Sequence, residues 1–173
     1  LMFSLAKRTA YQTTQIKSGN WNTKPNYFIN GKTIGLIGTG NIGSKIANLA
    51  NNLGLNVIAW TFNPSLEKEQ SLNLKYVSLQ HLIQKSDIIS IQVKLTQDSE
   101  KMLGEKEFKM MKKNTLFINA ARGGLIDNNA LVKYLQNGHI GGAALDVFEV
   151  EPIPKSHPIL KCEQVILTPH NAD

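Results

Sequence analysis

The stretch Thr33-Ile34-Gly35-Leu36-Ile37-Gly38-Thr39-Gly40-Asn41-Ile42-Gly43 constrains the fold more than any other. A short apolar run of strand character meets three glycines spaced Gly-x-Gly-x-x-Gly, and the pattern then changes to helical periodicity. Gly38 allows a tight strand-to-helix turn, Gly40 lets the backbone approach a pyrophosphate, and Gly43 lets the helix lie close on the strand. The unpaired N–H groups and positive dipole end of that helix then face the phosphates. The glycine pattern alone is weak, so its context matters. Ile42, Ile46, Leu49, Ala50 and Leu53 recur at helical spacing, Gly54 closes the segment, and Asn56-Val57-Ile58-Ala59-Trp60-Thr61 reads as a second strand. Together they form the βαβ unit that the motif requires.

Further alternation follows. Strands are expected at 75–77, 87–93, 115–119, 142–146 and 165–167, and short helices after Pro64-Ser65, after Ser78, over 105–111 and over 127–137. Ser78 and Asp127 are good N-caps, and Gly138 stops the last helix. Such alternation predicts an α/β fold: a Rossmann-type doubly wound parallel sheet in three αβα layers. Residues 1–16 read as one helix, followed by an irregular connector over 19–30 with Trp21 as a packing anchor. The chain opens as if in mid-helix and stops without a closing helix, so it is expected to be a fragment.

Composition narrows the class. The 173 residues, 42% of them hydrophobic, suit one buried-core domain. The formal charge of +6 comes from scattered residues without interleaved aromatics, which argues against nucleic acid. No apolar run is long enough to span a bilayer, so no membrane partner is expected. The single Cys162 has no disulfide or metal-ligand spacing, and a reducing, cytoplasmic setting is expected. His81, His139 and His157 show no metal-ligand pattern, and no metal is expected.

In an open α/β sheet, ligands sit beyond the carboxyl ends of the strands. Three groups placed there are chemically unusual: Arg122, Glu151 and His170. Hydride exchange with a 2-hydroxy or 2-keto acid needs a cation for the carboxylate and carbonyl, and a group to exchange the hydroxyl proton. The guanidinium of Arg122 suits the first task. His170 suits the second, with Glu151 to orient it and favour its protonated form.

Four segments, 38–43, 119–127, 142–152 and 168–170, resemble the D-isomer-specific 2-hydroxyacid dehydrogenases, the family of D-3-phosphoglycerate, glyoxylate/hydroxypyruvate, D-lactate and formate dehydrogenases. The resemblance runs along the whole chain and covers that family's NAD-binding domain. It implies that Arg122 binds and polarises the 2-keto acid, that His170 is the proton donor or acceptor, and that Glu151 tunes it. It also implies that Asn41 and Ile42 cover the pyrophosphate, and that Ala120, Ala121 and Arg122 line the nicotinamide end near His170. Asp146 would hold the carboxamide. The resemblance further implies that the helix at 1–16 is an interdomain segment contributing to a homodimer, and that a separate substrate domain lies outside this chain.

Two positions depart from the family. Thr61 stands where NAD-preferring members carry an acidic residue, and no arginine follows, so NAD and NADP both stay open. Lys94 replaces a usual proline, either reaching a cofactor phosphate or facing solvent. The expected enzyme is an NAD(P)-dependent D-2-hydroxyacid dehydrogenase; the alternative is a dinucleotide-sensing, corepressor-like protein of the same fold.

Overall fold

A computed structural model describes residues 1–21 and 24–172. Its centre is a seven-stranded sheet of order β3-β2-β1-β4-β5-β6-β7. The strands are β1 (Thr33–Ile37), β2 (Asn56–Trp60), β3 (Lys75–Tyr76), β4 (Ile88–Ile91), β5 (Thr115–Asn119), β6 (Ile140–Leu145) and β7 (Val165–Leu167). Every neighbouring pair runs parallel. Chain order reverses between β1 and β4, which places a crevice beyond the carboxyl end of β1.

Alternation along the strands divides the core into two apolar layers, as a sheet covered on both faces demands. Leu116 and Ile118 of β5 point to one layer with Leu5, Ala47 and Ala50, while Phe117 points to the other with Leu82, Phe108 and Leu131. The first layer is closed by α1 (Met2–Ala6) and α3 (Asn41–Asn52), the second by α5 (Leu79–Lys85), α6 (Glu105–Met110) and α7 (Asn128–Gln136). Phe108 and Phe117 meet edge to face, their centroids 5.5 Å apart. Each fully buried side chain of this size contributes roughly 1.5–3 kcal/mol.

The capping expectations hold in detail. Ser65 caps α4 (Leu66–Ser71), Ser78 accepts from the amide of His81, and Asp127 accepts from Asn129 and Ala130. Three expectations need correction. The segment 1–16 is two helices: α1 ends at Ala6, Arg8 takes a left-handed φ of 51°, and α2 (Thr9–Lys17) departs in a new direction. The reason lies in composition. Leu5 and Ala6 are buried against the sheet, whereas no residue of the polar α2 is buried, so nothing holds it to the same surface. Trp21 is 83% exposed and anchors nothing among the described residues. In α3 the small residues Gly43, Ala47 and Ala50 face the core, while Ile42 and Leu49 are exposed. A Cβ on Gly43 would overlap the Gly38 carbonyl oxygen, so the helix lies too close to the glycine turn to admit large side chains there.

Among the described residues, no helix is long and apolar enough to cross a membrane.

Candidate active site

The glycine turn comes first in the chain. Gly38 has φ of 104°, and its amide donates to the Trp60 carbonyl at 2.7 Å, tying the turn to the end of β2. A side chain at Gly38 would meet the Gln92 backbone, which ties the turn also to the end of β4. At Gly40 the opposite holds: no atom lies within 4 Å of where a Cβ would stand. The protein's own packing therefore does not require Gly40; the clear space in front of it does fit a pyrophosphate. No side chain caps the amino end of α3, so its first amides remain available to the same anion. A cleft of about 470 Å³ continues from Gly38, Thr39 and Gly40 past Thr61, Phe62 and Asn63 to Val93 and Lys94. These dimensions and donors suit the adenosine half of a dinucleotide. Thr61 and Lys94 thus share one cleft, and Lys94 is exposed at its wall.

Beyond β5, the chain turns through Ala120, Ala121 and Arg122. Asn119, fully buried, shapes this turn by accepting from the Ala121 amide at 3.0 Å and donating to the Arg122 carbonyl at 2.9 Å. The exposed Arg122 guanidinium donates to the Ala121 carbonyl at 2.6 Å. Next in sequence, a Cβ on Gly123 would overlap the backbone of Phe148 and Glu149. The turn after β5 and the turn after β6 are therefore in backbone contact, and this contact sets Arg122 beside the segment that carries Glu151.

Glu151 bridges two partners. Its Oε1 accepts from the Phe148 amide at 2.8 Å, and its Oε2 lies 2.8 Å from Nδ1 of His170. The hydrogen bond from His170, then that from Phe148, lowers the Glu151 carboxyl from its ordinary range. Reciprocally, the bond to Glu151 raises His170 above the ordinary imidazole value, against partial desolvation and the Arg122 charge. His170 adopts φ of 54°, at the apex of a loop closed on Asp146. The Thr168 hydroxyl and the Asn171 amide donate to Oδ1 of Asp146, and the Ala172 amide donates to Oδ2. Burial pushes the Asp146 carboxyl up, but these three bonds and the His170 charge outweigh it and hold it low. At 1% exposure Asp146 is buried, and its oxygens accept from the loop that carries His170, which it braces.

Two contributors, Asn119 and Thr168, fall inside the family-like segments but were given no role from the sequence. Each is an ordinary polar residue at a strand end, and only its pairing across the loop reveals its part. Two of the other histidines have structural partners, His139 Nε2 meeting the Met111 carbonyl at 3.0 Å and His157 capping a 3₁₀ turn over Pro158–Lys161, while His81 lies exposed on α5. A second cleft, about 500 Å³, lies at the amino edge of the sheet near Arg8, Lys24 and Glu163, remote from these groups.

Exchange of Glu151 for glutamine is expected to lower the His170 pKa, read by NMR titration of its imidazole. The sign follows from linkage. A raised histidine pKa contributes stability below the ordinary value near 6.5, and that contribution is lost as pH rises through the raised one. The variant should lose it at lower pH; an unchanged imidazole titration would remove Glu151 as its cause.

A parallel sheet with a phosphate-ready glycine turn, and a cation beside a carboxylate-imidazole pair at the same edge, defines a Rossmann-type dinucleotide-binding domain. The family description "D-isomer specific 2-hydroxyacid dehydrogenase, NAD binding domain" matches residues 1–172. A glyoxylate reductase of Thermococcus litoralis is 37% identical over 179 residues, covering 98% of this chain and 54% of that protein. A D-3-phosphoglycerate dehydrogenase of Methanocaldococcus jannaschii is 39% identical over 175 residues, covering 98% of this chain and 33% of its own length. The solved glyoxylate reductase from Paecilomyes thermophila superposes with a TM-score of 0.90 at 35% identity, over 98% of this chain and 52% of that one. The chain belongs to the D-isomer-specific 2-hydroxyacid dehydrogenase family. It spans about half the length of the glyoxylate reductases it matches.

Proposed function

We propose that this chain is the NAD(P)-binding domain of a D-2-hydroxyacid dehydrogenase whose substrate domain lies outside it. The observation that carries the reading is the Glu151–His170 pair, 2.8 Å apart, with Glu151 on the loop in contact with the Arg122 turn. A nicotinamide dinucleotide, when bound along Gly38–Gly43, supplies or accepts the hydride at C2 of the substrate. Arg122 binds the carboxylate and polarises the carbonyl, stabilising charge that grows on the oxygen. Protonated His170 donates to that oxygen during reduction and takes the proton back during oxidation, with Glu151 holding the imidazole by Nδ1 and leaving Nε2 to face substrate. Asn41 and Ile42 cover the pyrophosphate, Ala120 and Ala121 border the nicotinamide, and Lys94 flanks the adenosine. The setting we propose is cytoplasmic, where the buried Cys162 stays a thiol.

The reading also includes a homodimer, supported by Phe3 and Ile16, 48% and 55% exposed on α1 and α2. Light scattering of the complete protein reads the assembly. The function is tested by following NADH and NADPH oxidation by the complete protein with glyoxylate, hydroxypyruvate and pyruvate. Turnover of at least one 2-keto acid is expected, falling as pH rises through the raised His170 value because the proton donor is lost. Cofactor binding without turnover of any of these acids would instead favour a sensor of the corepressor kind.

A further inference from the structure

The end of β2 carries Thr61-Phe62-Asn63, so no carboxylate stands where a ribose 2′-hydroxyl would normally be held. No arginine follows in exchange, and the sequence offered only Lys94, beyond β4, as a nearby cation. The fold supplies another from 29 residues beyond the glycine turn: Lys68, on α4, donates from Nζ to the Thr39 carbonyl at 3.1 Å. Thr39 neighbours Gly38, whose amide is bonded to the Trp60 carbonyl, immediately before Thr61. The ammonium thus rests on the glycine turn at a corner bordering the adenosine cleft, which Thr39 lines and Lys68 does not. Among the described residues, no carboxylate pairs with Lys68. Its neighbour Glu69 is turned away, accepting from the Tyr76 amide at 3.3 Å. Asp98 is the carboxylate that lines the cleft, on the side of β4. A buried hydroxyl completes the corner, since Tyr76 and Thr39 bond through their oxygens at 2.7 Å and fix the turn.

We propose that Lys68 is a specificity-determining residue that selects NADP(H) over NAD(H) by pairing with the 2′-phosphate of the adenosine ribose. The inference rests on the dinucleotide-binding reading above. A neutral Thr61 removes the repulsion that a carboxylate would exert on the phosphate, and Lys68 adds a charge-assisted hydrogen bond. The bond to Thr39 holds the ammonium in place before cofactor arrives, so little side-chain freedom is lost on binding.

Calorimetric titration of the complete protein with NADPH and NADH tests this without any turnover. The wild type is expected to bind NADPH at least tenfold more tightly, a difference of about 1.4 kcal/mol. Lys68→Gln should lower NADPH affinity about tenfold and leave NADH within twofold, while Lys68→Arg keeps the preference. Added salt should weaken NADPH more than NADH. Equal affinities in the wild type, or a preference for NADH, would overturn the proposal. So would an equal loss of both cofactors in Lys68→Gln, which would make Lys68 a fastener of the glycine turn only. Failure of a folded wild type to bind either cofactor would overturn the dinucleotide reading itself.

Discussion

His170→Asn in the complete protein is expected to reduce kcat for a 2-keto acid by about 10²–10⁴-fold, the usual contribution of a positioned general acid. Cofactor affinity should stay near that of the wild type. Asparagine is the informative replacement because it tolerates the left-handed φ of 54° at this position, so the loop on Asp146 can persist without the imidazole. The side chain is 38% exposed, and its loss opens no core cavity. The pH dependence of reduction should flatten in the same variant, since the group whose raised pKa governs it is gone. A variant within about threefold of wild-type turnover would take His170 out of the chemistry.

Arg122→Ala should act on both binding and rate. Two charge-assisted hydrogen bonds of roughly 1.5–3 kcal/mol each would be lost, which predicts a fall in kcat/KM on the order of 10²–10⁴-fold. The loss should divide between a higher KM, from the carboxylate, and a lower kcat, from the carbonyl oxygen. Arg122→Lys should recover only part of it, because an ammonium keeps the charge but not the planar fork. The Ala121 carbonyl, which now accepts from the guanidinium, is in an exposed turn and can turn to water, so the backbone should survive. Unchanged kinetics in Arg122→Ala would exclude it from the mechanism.

Much of this architecture was legible in the chain because its signals are local. β5 and β7 were read to the residue, and α7 carries its own start in Asp127 and its stop in Gly138, whose φ is 72°. The break at Arg8 was less visible because 1–16 reads as one continuous helix, although the change from apolar 1–6 to polar 9–17 was there to be seen. Periodicity also misjudged α3: it favours large apolar residues, whereas close approach to the sheet selects Gly43, Ala47 and Ala50. The site divides in the same way. Arg122, Glu151 and His170 have unusual chemistry at strand ends, so sequence could nominate them. Asn119 and Thr168 stand inside recognised segments, but their partners, like that of Lys68, are reached only through the fold.

The backbone contact between Gly123 and Phe148 has a consequence for descent and engineering. The turn with Arg122 and the turn leading to Glu151 abut without intervening side chains, so substitutions in either can hardly adjust one functional group without disturbing the other. They should be inherited as a unit. On the proposed reading, new substrates would then be more readily acquired by changing the substrate half than by changing this edge.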